Sequence, residues 1–219
     1  MPGQGWAGSV HILSNPMAIG QANHVPGLGS MGLAMAINLQ RHLAAVEGAE
    51  PVHYFNRTIS RGEPLHQIGG QPAQSVQGLV ARCDVVFMSL SDDDALTSTV
   101  QAMVGSPSAG SSLAGKIIVD TTTVHPDTTA SVAAQLSGQG ARFIAAPVFG
   151  ASPVAAKGQL LWILAGPEDA VRVIDPFIVG VMGRGIIRLG EAPRQATLLK
   201  TAGLVWSIMN GDPPGARDG

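Results

Sequence analysis

Short apolar segments that alternate with amphipathic segments constrain the fold of this chain more than any other feature. Three runs hold almost no polar residue: 84–90, 116–120 and 142–146. Strands that are buried on both faces of a parallel sheet have this composition, because helices cover both faces. Stretches with helical spacing of apolar residues, 95–103 and 126–136, lie between these runs. The alternation predicts an α/β fold with a doubly wound, mostly parallel sheet.

The composition fits such a domain and argues against several classes of function. Apolar residues make up 45% of the 219 residues, which is enough to fill a core. The net charge of −2 gives no electrostatic basis for binding nucleic acid, and no apolar run is long enough to predict a membrane span. The single cysteine, Cys83, cannot form an internal disulfide, and no Cys/His cluster has zinc-ligand spacing. No targeting segment is recognisable, so we expect a cytoplasmic protein without a bound metal.

A Gly-x-Gly-x-x-Gly turn opens the first predicted helix. Its residues are Gly27, Leu28, Gly29, Ser30, Met31 and Gly32. Closely set glycines let the backbone approach a pyrophosphate, and the helix N-terminus that follows favours negative charge. The pattern predicts the phosphate-binding turn of a dinucleotide site. The alternative is a glycine-rich loop at a helix start that holds no ligand.

The end of the second predicted strand, 52–55, indicates which dinucleotide would bind. Asn56, Arg57 and Thr58 follow this strand, where an NAD site usually has Asp or Glu to accept from the ribose hydroxyl. An arginine cannot accept a hydrogen bond, but its planar guanidinium pairs well with a 2′-phosphate. The sequence therefore predicts NADP rather than NAD. The alternative is that Arg57 is a solvated loop residue.

Five segments in consecutive order resemble the β-hydroxyacid dehydrogenase family, which includes 3-hydroxyisobutyrate, tartronate semialdehyde and 6-phosphogluconate dehydrogenases. They are the glycine turn 27–32, then 54–58, 83–90, 119–126 and 146–150. The resemblance extends to Lys200 and implies a Rossmann-type NADP-binding domain over residues 27–193. Residues 194–219 would then be the start of an interdomain helix and a tail, with no complete second domain.

The resemblance also implies roles for individual residues. Leu90 and Ser91 would touch the cofactor, and Thr123 would lie at its nicotinamide end. A loop that cups the substrate would comprise Pro147, Val148, Phe149 and Gly150. Lys200 would be the catalytic lysine, exchanging a proton with a small hydroxy acid or its carbonyl form during hydride transfer.

Several features depart from the family pattern. Residues 1–26 look irregular, and Pro26 would remove a ladder donor where the central strand should lie. Within that segment only 10–13 resembles a strand, and it could take this place only across a long loop. Phe149 stands where the family usually has a serine, and Leu204 stands where it has an asparagine one helical turn after Lys200.

Three hypotheses on function remain open at this point. The first is an NADP-dependent oxidoreductase of this family that acts on a small-molecule substrate. The second is a non-catalytic NADP-binding fragment, suggested by Leu204 and the missing helical domain. The third is an enzyme similar to imine reductases, which have a more apolar site. A homodimer is expected only if the helical domain exists.

Overall fold

The fold described here comes from a computed structural model, which describes residues 10–14, 30–105 and 112–209. The strands are β1 (Val10–Ser14), β2 (His53–Phe55), β3 (Gln71–Pro72), β4 (Val85–Ser89), β5 (Ile117–Asp120), β6 (Arg142–Ala145), β7 (Val148–Phe149), β8 (Leu160–Leu164) and β9 (Gly183–Arg188). The α-helices are α1 (Ser30–Ala44), α2 (Glu63–His66), α3 (Val76–Arg82), α4 (Asp93–Val104), α5 (Pro126–Gly138), α6 (Ser152–Ala156), α7 (Glu168–Ile178) and α8 (Pro193–Met209). A single 3₁₀ turn, Ile59–Gly62, leads into α2.

Six strands form a parallel sheet in the order β3-β2-β1-β4-β5-β6. The central strands β4 and β5 are buried along almost their whole length, since helices pack on both faces of the sheet. One core cluster lies on each face, around Phe87 and Val119 on one side and around Val86 and Ile118 on the other. The predicted doubly wound α/β fold is confirmed.

The first strand comes from the segment that the sequence analysis assigned to an irregular terminus. Residues 10–14 pair in parallel with β2 on one side and with β4 on the other. The reason is that this short apolar run satisfies the backbone ladder of both neighbours, which a segment containing Pro26 could not do. The sheet thus begins before the glycine turn, and residues 15–29, which include Gln21–Pro26, lie outside the described residues.

A smaller sheet, β7-β8-β9, continues from the edge of the large one. Ala145 at the end of β6 exchanges two backbone hydrogen bonds of 2.9 and 3.0 Å with Ala165 after β8. The Ile163 amide donates to the Pro147 carbonyl at 3.0 Å. These bonds fix the chain from 147 to 150 beside the carboxyl end of β6.

Helix α8 packs against α5 and carries Lys200 towards the sheet. Thr129 and Thr197, both buried, share a hydrogen bond of 2.8 Å between their hydroxyl oxygens. Further along α8 the side chains turn outward, and Trp206 and Met209 are 66% and 79% exposed. Even so, every helix in the described ranges falls short of the length and apolar character needed to cross a lipid bilayer.

The turn between α6 and β8 requires a glycine. Gly158 has φ +67°, and a Cβ there would overlap the Val181 carbonyl oxygen. We expect Gly158→Ala to lower the free energy of unfolding by about 2–4 kcal/mol, since left-handed backbone strain adds to a clash with rigid backbone. Gly48 has φ +78° with open space around it. Gly48→Ala should therefore cost only about 1 kcal/mol. If urea denaturation showed equal losses of unfolding free energy for the two variants, the close approach of Gly158 to the Val181 carbonyl would be contradicted.

Candidate functional site

The carboxyl ends of β4 and β5 open into a cavity of about 190 Å³. The first turns of α1 form one wall, and α8 with the segment after β6 forms the other. Seven of the residues singled out from the sequence line it: Met31, Leu90, Ser91, Thr123, Val148, Gly150 and Lys200. The fold therefore brings together residues from five separate segments of the chain.

Hydrogen bonds fix the segment that follows β4. The Leu90 amide donates to the Thr122 hydroxyl oxygen at 3.1 Å. The Ser91 hydroxyl donates to one oxygen of Asp92 at 2.6 Å, and the other oxygen accepts from the Ala95 amide at 2.8 Å. Asp92 is the N-cap of α4, so this segment is tied both to its own helix and to the neighbouring strand.

A buried carboxyl group ends β5. Asp120 is 2% exposed, and its Oδ1 accepts from the Thr122 amide at 3.1 Å. Burial raises the pKa of Asp120 to about 7, with a smaller contribution from Asp93, while hydrogen bonds from Thr122 act in the opposite direction. Thr121 donates its hydroxyl to the Met88 carbonyl at 2.8 Å, which leaves Thr123 as the exposed hydroxyl at the cavity.

The raised pKa of Asp120 predicts a pH-dependent stability. An aspartate in the unfolded chain titrates near 3.8, so between that value and about 7 the folded protein holds a proton that the unfolded chain has released. The free energy of unfolding should therefore fall as the pH rises through this interval and level off above it. Urea denaturation at several pH values in this range should show that Asp120→Asn removes this dependence of the unfolding free energy on pH. The same dependence in the variant would contradict the raised pKa of Asp120.

Lys200 is buried at the back of the cavity and is 8% exposed. Its Nζ donates to the Val148 carbonyl at 2.8 Å and lies 4.8 Å from the centre of the Phe149 ring. Burial lowers the pKa of Lys200 from its usual value of 10.5. An ammonium has three N–H donors, so two remain for a ligand in the cavity. A solvated surface lysine would have neither this burial nor the lowered pKa.

The predicted substrate loop surrounds this ammonium. Val148 and Gly150 line the cavity, while Pro147 is buried behind them. Gly150 has φ +130°, and a Cβ there would lie 2.7 Å from Leu160 Cδ2, so a glycine is required. Phe149 is half-buried and packs against α8 at Gly203, where a Cβ would lie 2.6 Å from the ring.

The glycine turn is described only from its fourth residue. Ser30 begins α1 and shares a hydrogen bond with Ser152 at the start of α6, Met31 faces the cavity, and Gly32 is buried in the helix. Gly27, Leu28 and Gly29 lie outside the described residues. The α1 N-terminus nevertheless stands beside the cavity, as a phosphate-binding helix requires.

The residues after β2 are not part of this cavity. Asn56 is buried, and its side-chain Nδ2 donates to the Thr58 carbonyl at 2.7 Å, which shapes the turn. Arg57 is exposed and forms no ion pair within the described ranges. Strands β2, β1, β4 and β5 are neighbours and parallel, so Arg57 shares one sheet edge with the cavity. Two strand spacings separate Arg57 from the end of β4 and three separate it from the end of β5, roughly 10 Å and roughly 15 Å.

Three lining residues were not singled out from the sequence as site residues: Met35, Ser89 and Thr121. Met35 lies four residues after Met31 and hence on the same helix face, and the sequence analysis had no other indication of its place. Ser89 directly precedes the predicted Leu90, and Thr121 lies two residues before the predicted Thr123. This closeness in sequence was the signal that could have identified them.

A second cavity, of about 390 Å³, lies at the other end of the sheet beside β3. His53, Ser75 and Arg82 are among the residues that line it, and none of the predicted site residues does. Within the described ranges, no group of three His, Cys, Asp or Glu side chains is arranged to hold a metal ion.

Comparison with known proteins places this geometry in a family. Residues 24–190 match the model for the NAD binding domain of 6-phosphogluconate dehydrogenase. The NADH-dependent oxidoreductase ucdB of Aspergillus ustus is 34% identical, over 79% of this chain and 56% of that protein. Glyoxylate/succinic semialdehyde reductase 2, chloroplastic, of Arabidopsis thaliana is 30% identical, over 84% of this chain and 49% of that protein. The chain thus spans about half the length of these curated relatives.

Solved structures support the fold. A reductive aminase from Aspergillus terreus, in complex with NADPH and ethyl-5-oxohexanoate, superposes with a TM-score of 0.72 over 93% of this chain and 63% of that one, at 22% identity. The resemblance drawn from the five sequence segments is confirmed, because one family model spans most of the chain. The protein belongs to the family defined by the NAD binding domain of 6-phosphogluconate dehydrogenase.

Proposed function

We propose that this chain binds NADP(H) along the carboxyl edge of its parallel sheet and reduces a small carbonyl compound, or oxidises the corresponding alcohol, in the cavity at Lys200. The observation that carries the proposal is the burial of the Lys200 ammonium in the same cavity as Leu90, Ser91 and Thr123. A buried proton donor beside the segments that would hold a nicotinamide is what hydride-transfer chemistry needs from a protein.

The described residues fit a dinucleotide with an extra phosphate. The exposed guanidinium of Arg57 is available to pair with a 2′-phosphate, and no carboxylate follows β2 to accept from a ribose hydroxyl. The backbone at Leu90 and Ser91 lies two strands away and the Thr123 hydroxyl three strands away, where the other end of an extended dinucleotide would reach. The name of the Aspergillus ustus relative specifies NADH, so the preference for NADP(H) has to be measured on this chain.

Lys200 would donate or accept the proton that accompanies hydride transfer. When bound, NADP(H) supplies or accepts the hydride. In the reducing direction the ammonium donates a proton to the oxygen of the substrate, and in the oxidising direction the neutral amine takes the hydroxyl proton. Its contact with the Val148 carbonyl fixes Nζ within the cavity, and burial lowers its pKa so that both forms become accessible nearer neutrality.

A second candidate is reduction of a C=N bond. Phe149 places an aromatic ring beside Lys200 where a hydroxyl would assist a carboxylate, which favours a less polar substrate. Lys200 itself argues for a carbonyl, because an alkoxide needs a proton donor of this kind. A third candidate is a fragment that binds the nucleotide without turnover, as Leu204 in place of a polar group would allow.

Two measurements on the same protein separate these functions. The first is a fluorescence titration with NADPH and with NADH, where we expect saturable binding in the micromolar range and tighter binding of NADPH. The second follows NADPH absorbance with a panel of small aldehydo-acids and cyclic imines. Turnover of the aldehydo-acids supports the first proposal, turnover of imines alone supports the second, and binding without any turnover supports the third. Absence of saturable binding by either nucleotide would overturn all three.

A further inference from the structure

A chain of three groups links the end of β5 to the segment after β4. The Asp120 Oδ1 accepts from the Thr122 backbone amide, and the Thr122 hydroxyl oxygen accepts from the Leu90 amide, each at 3.1 Å. All three groups are buried, with Asp120 at 2%, Thr122 at 3% and Leu90 at 8% exposure. The chain therefore runs from a carboxyl group inside the sheet to the backbone at the rim of the cavity.

The buried carboxyl group of Asp120 is unusual for its surroundings. Within the described ranges no lysine, arginine or histidine pairs with it, although an unpaired buried carboxylate destabilises a fold. Its Oδ1 accepts from the backbone amide of Thr122, two residues further along. A function served through Thr122 accounts for a polar group at this position better than packing does.

The hydrogen bond from the Thr122 amide explains how Asp120 can act on the neighbouring strand. An aspartate oxygen that accepts from the amide two residues further along closes a tight turn of the backbone. This turn fixes the position of Thr122, whose hydroxyl oxygen accepts from the Leu90 amide.

We propose that Asp120 is a positioning residue, which acts through Thr122 to hold the Leu90–Ser91 backbone in the geometry that receives the cofactor. The proposal rests on the proposed function only for the identity of the ligand. Without the link, the Leu90 amide would lose its partner and the rim of the cavity would sample other conformations before binding. Part of the binding free energy would then be consumed in ordering that segment.

The test compares five single variants and one double variant by two measurements on the intact chain. Asp120→Leu and Thr122→Val each break the link, whereas Asp120→Asn keeps an accepting oxygen and Thr122→Ser keeps the hydroxyl. Gln40→Met is the control, because the Gln40 side chain in α1 also accepts from a buried backbone amide, that of Val52 at 2.7 Å. The measurements are the hydrogen-exchange rate of the Leu90 amide by NMR and the Kd for NADPH.

We expect Asp120→Leu and Thr122→Val to speed exchange at Leu90 and to raise the Kd, each by about 5- to 10-fold, as loss of one buried hydrogen bond implies. Asp120→Asn, Thr122→Ser and Gln40→Met should leave both values close to those of the wild type. The double variant Asp120→Leu/Thr122→Val should be no worse than either single variant, since the two residues act in series.

Wild-type exchange at Leu90 in a folded Asp120→Leu variant would overturn the link, and so would additive effects in the double variant. If Asp120→Leu fails to fold, Asp120→Ala tests the same bond, with Thr122→Val against Thr122→Ser beside it. Failure of the wild type to bind NADPH would overturn the proposed function. The exchange rates at Leu90 do not depend on NADPH, so they would still decide whether the link exists.

Discussion

Replacing Lys200 by methionine is expected to lower NADPH-dependent turnover by about 10²- to 10⁴-fold, the usual contribution of a positioned proton donor. Methionine has nearly the same shape and keeps the packing between α8 and the loop after β6. The Kd for NADPH should therefore change by less than about 3-fold. Steady-state kinetics combined with the fluorescence titration separate these two effects.

The same substitution should leave the fold intact and change how stability depends on pH. Since burial lowers the pKa of Lys200 below 10.5, the unfolded chain binds more protons between the lowered pKa and 10.5. The wild-type free energy of unfolding should rise with pH in that interval, and Lys200→Met should remove the rise. Lys157, exposed at the end of α6, provides the control. If Lys157→Met lost as much turnover as Lys200→Met, Lys200 would have no special role.

Replacing Arg57 by alanine is expected to raise the Kd for NADPH by about 10- to 100-fold, because a charge-assisted bond to a phosphate contributes about 1.5–3 kcal/mol. The Kd for NADH should not change, since NADH has no 2′-phosphate for the guanidinium to pair with. The ratio of the two Kd values, measured by fluorescence in the same buffer, isolates this one interaction.

Arg61 supplies the matched control for charge. It lies exposed in the 3₁₀ turn after β2, and Arg61→Ala alters the net charge as Arg57→Ala does. We expect less than about a 3-fold effect from it at physiological ionic strength, since exposed charges beyond contact are screened. Equal weakening of NADPH and NADH in Arg57→Ala would mean that Arg57 does not select the 2′-phosphate.

The main elements of the fold could be predicted because their sequence signals are long or strongly periodic. The segment 84–90 contains β4, and 126–136 lies within α5. Five short elements gave no such signal: β3 (Gln71–Pro72), α2 (Glu63–His66), α3 (Val76–Arg82), β7 (Val148–Phe149) and α6 (Ser152–Ala156). A strand of two residues shows no alternation, and a helix of one or two turns shows no clear apolar face. Their backbone is set by tertiary neighbours, as in the bond from Asn38 to the Ala155 carbonyl at 2.8 Å.

The site was predictable in part, for a related reason. Leu90, Thr123 and Lys200 were found because the family motifs carry them, and the structure brings all three to one cavity. The link through Asp120 and Thr122 could not be predicted, because it depends on the hydrogen bond between Leu90 and Thr122, which are 32 positions apart in the sequence. The partner of Phe149 was equally hidden, because the ring packs on Gly203 from a distant helix.

The most direct test of the account is to map bound NADPH onto the backbone by NMR in the intact chain. If the dinucleotide lies along the carboxyl edge of the sheet, the amide signals of Leu90, Ser91, Thr123 and Arg57 should shift together with one saturation curve. Shifts confined to the second cavity, at Ser75 and Arg82 beside β3, would contradict it. So would saturable binding that leaves the Leu90 and Thr123 signals in place.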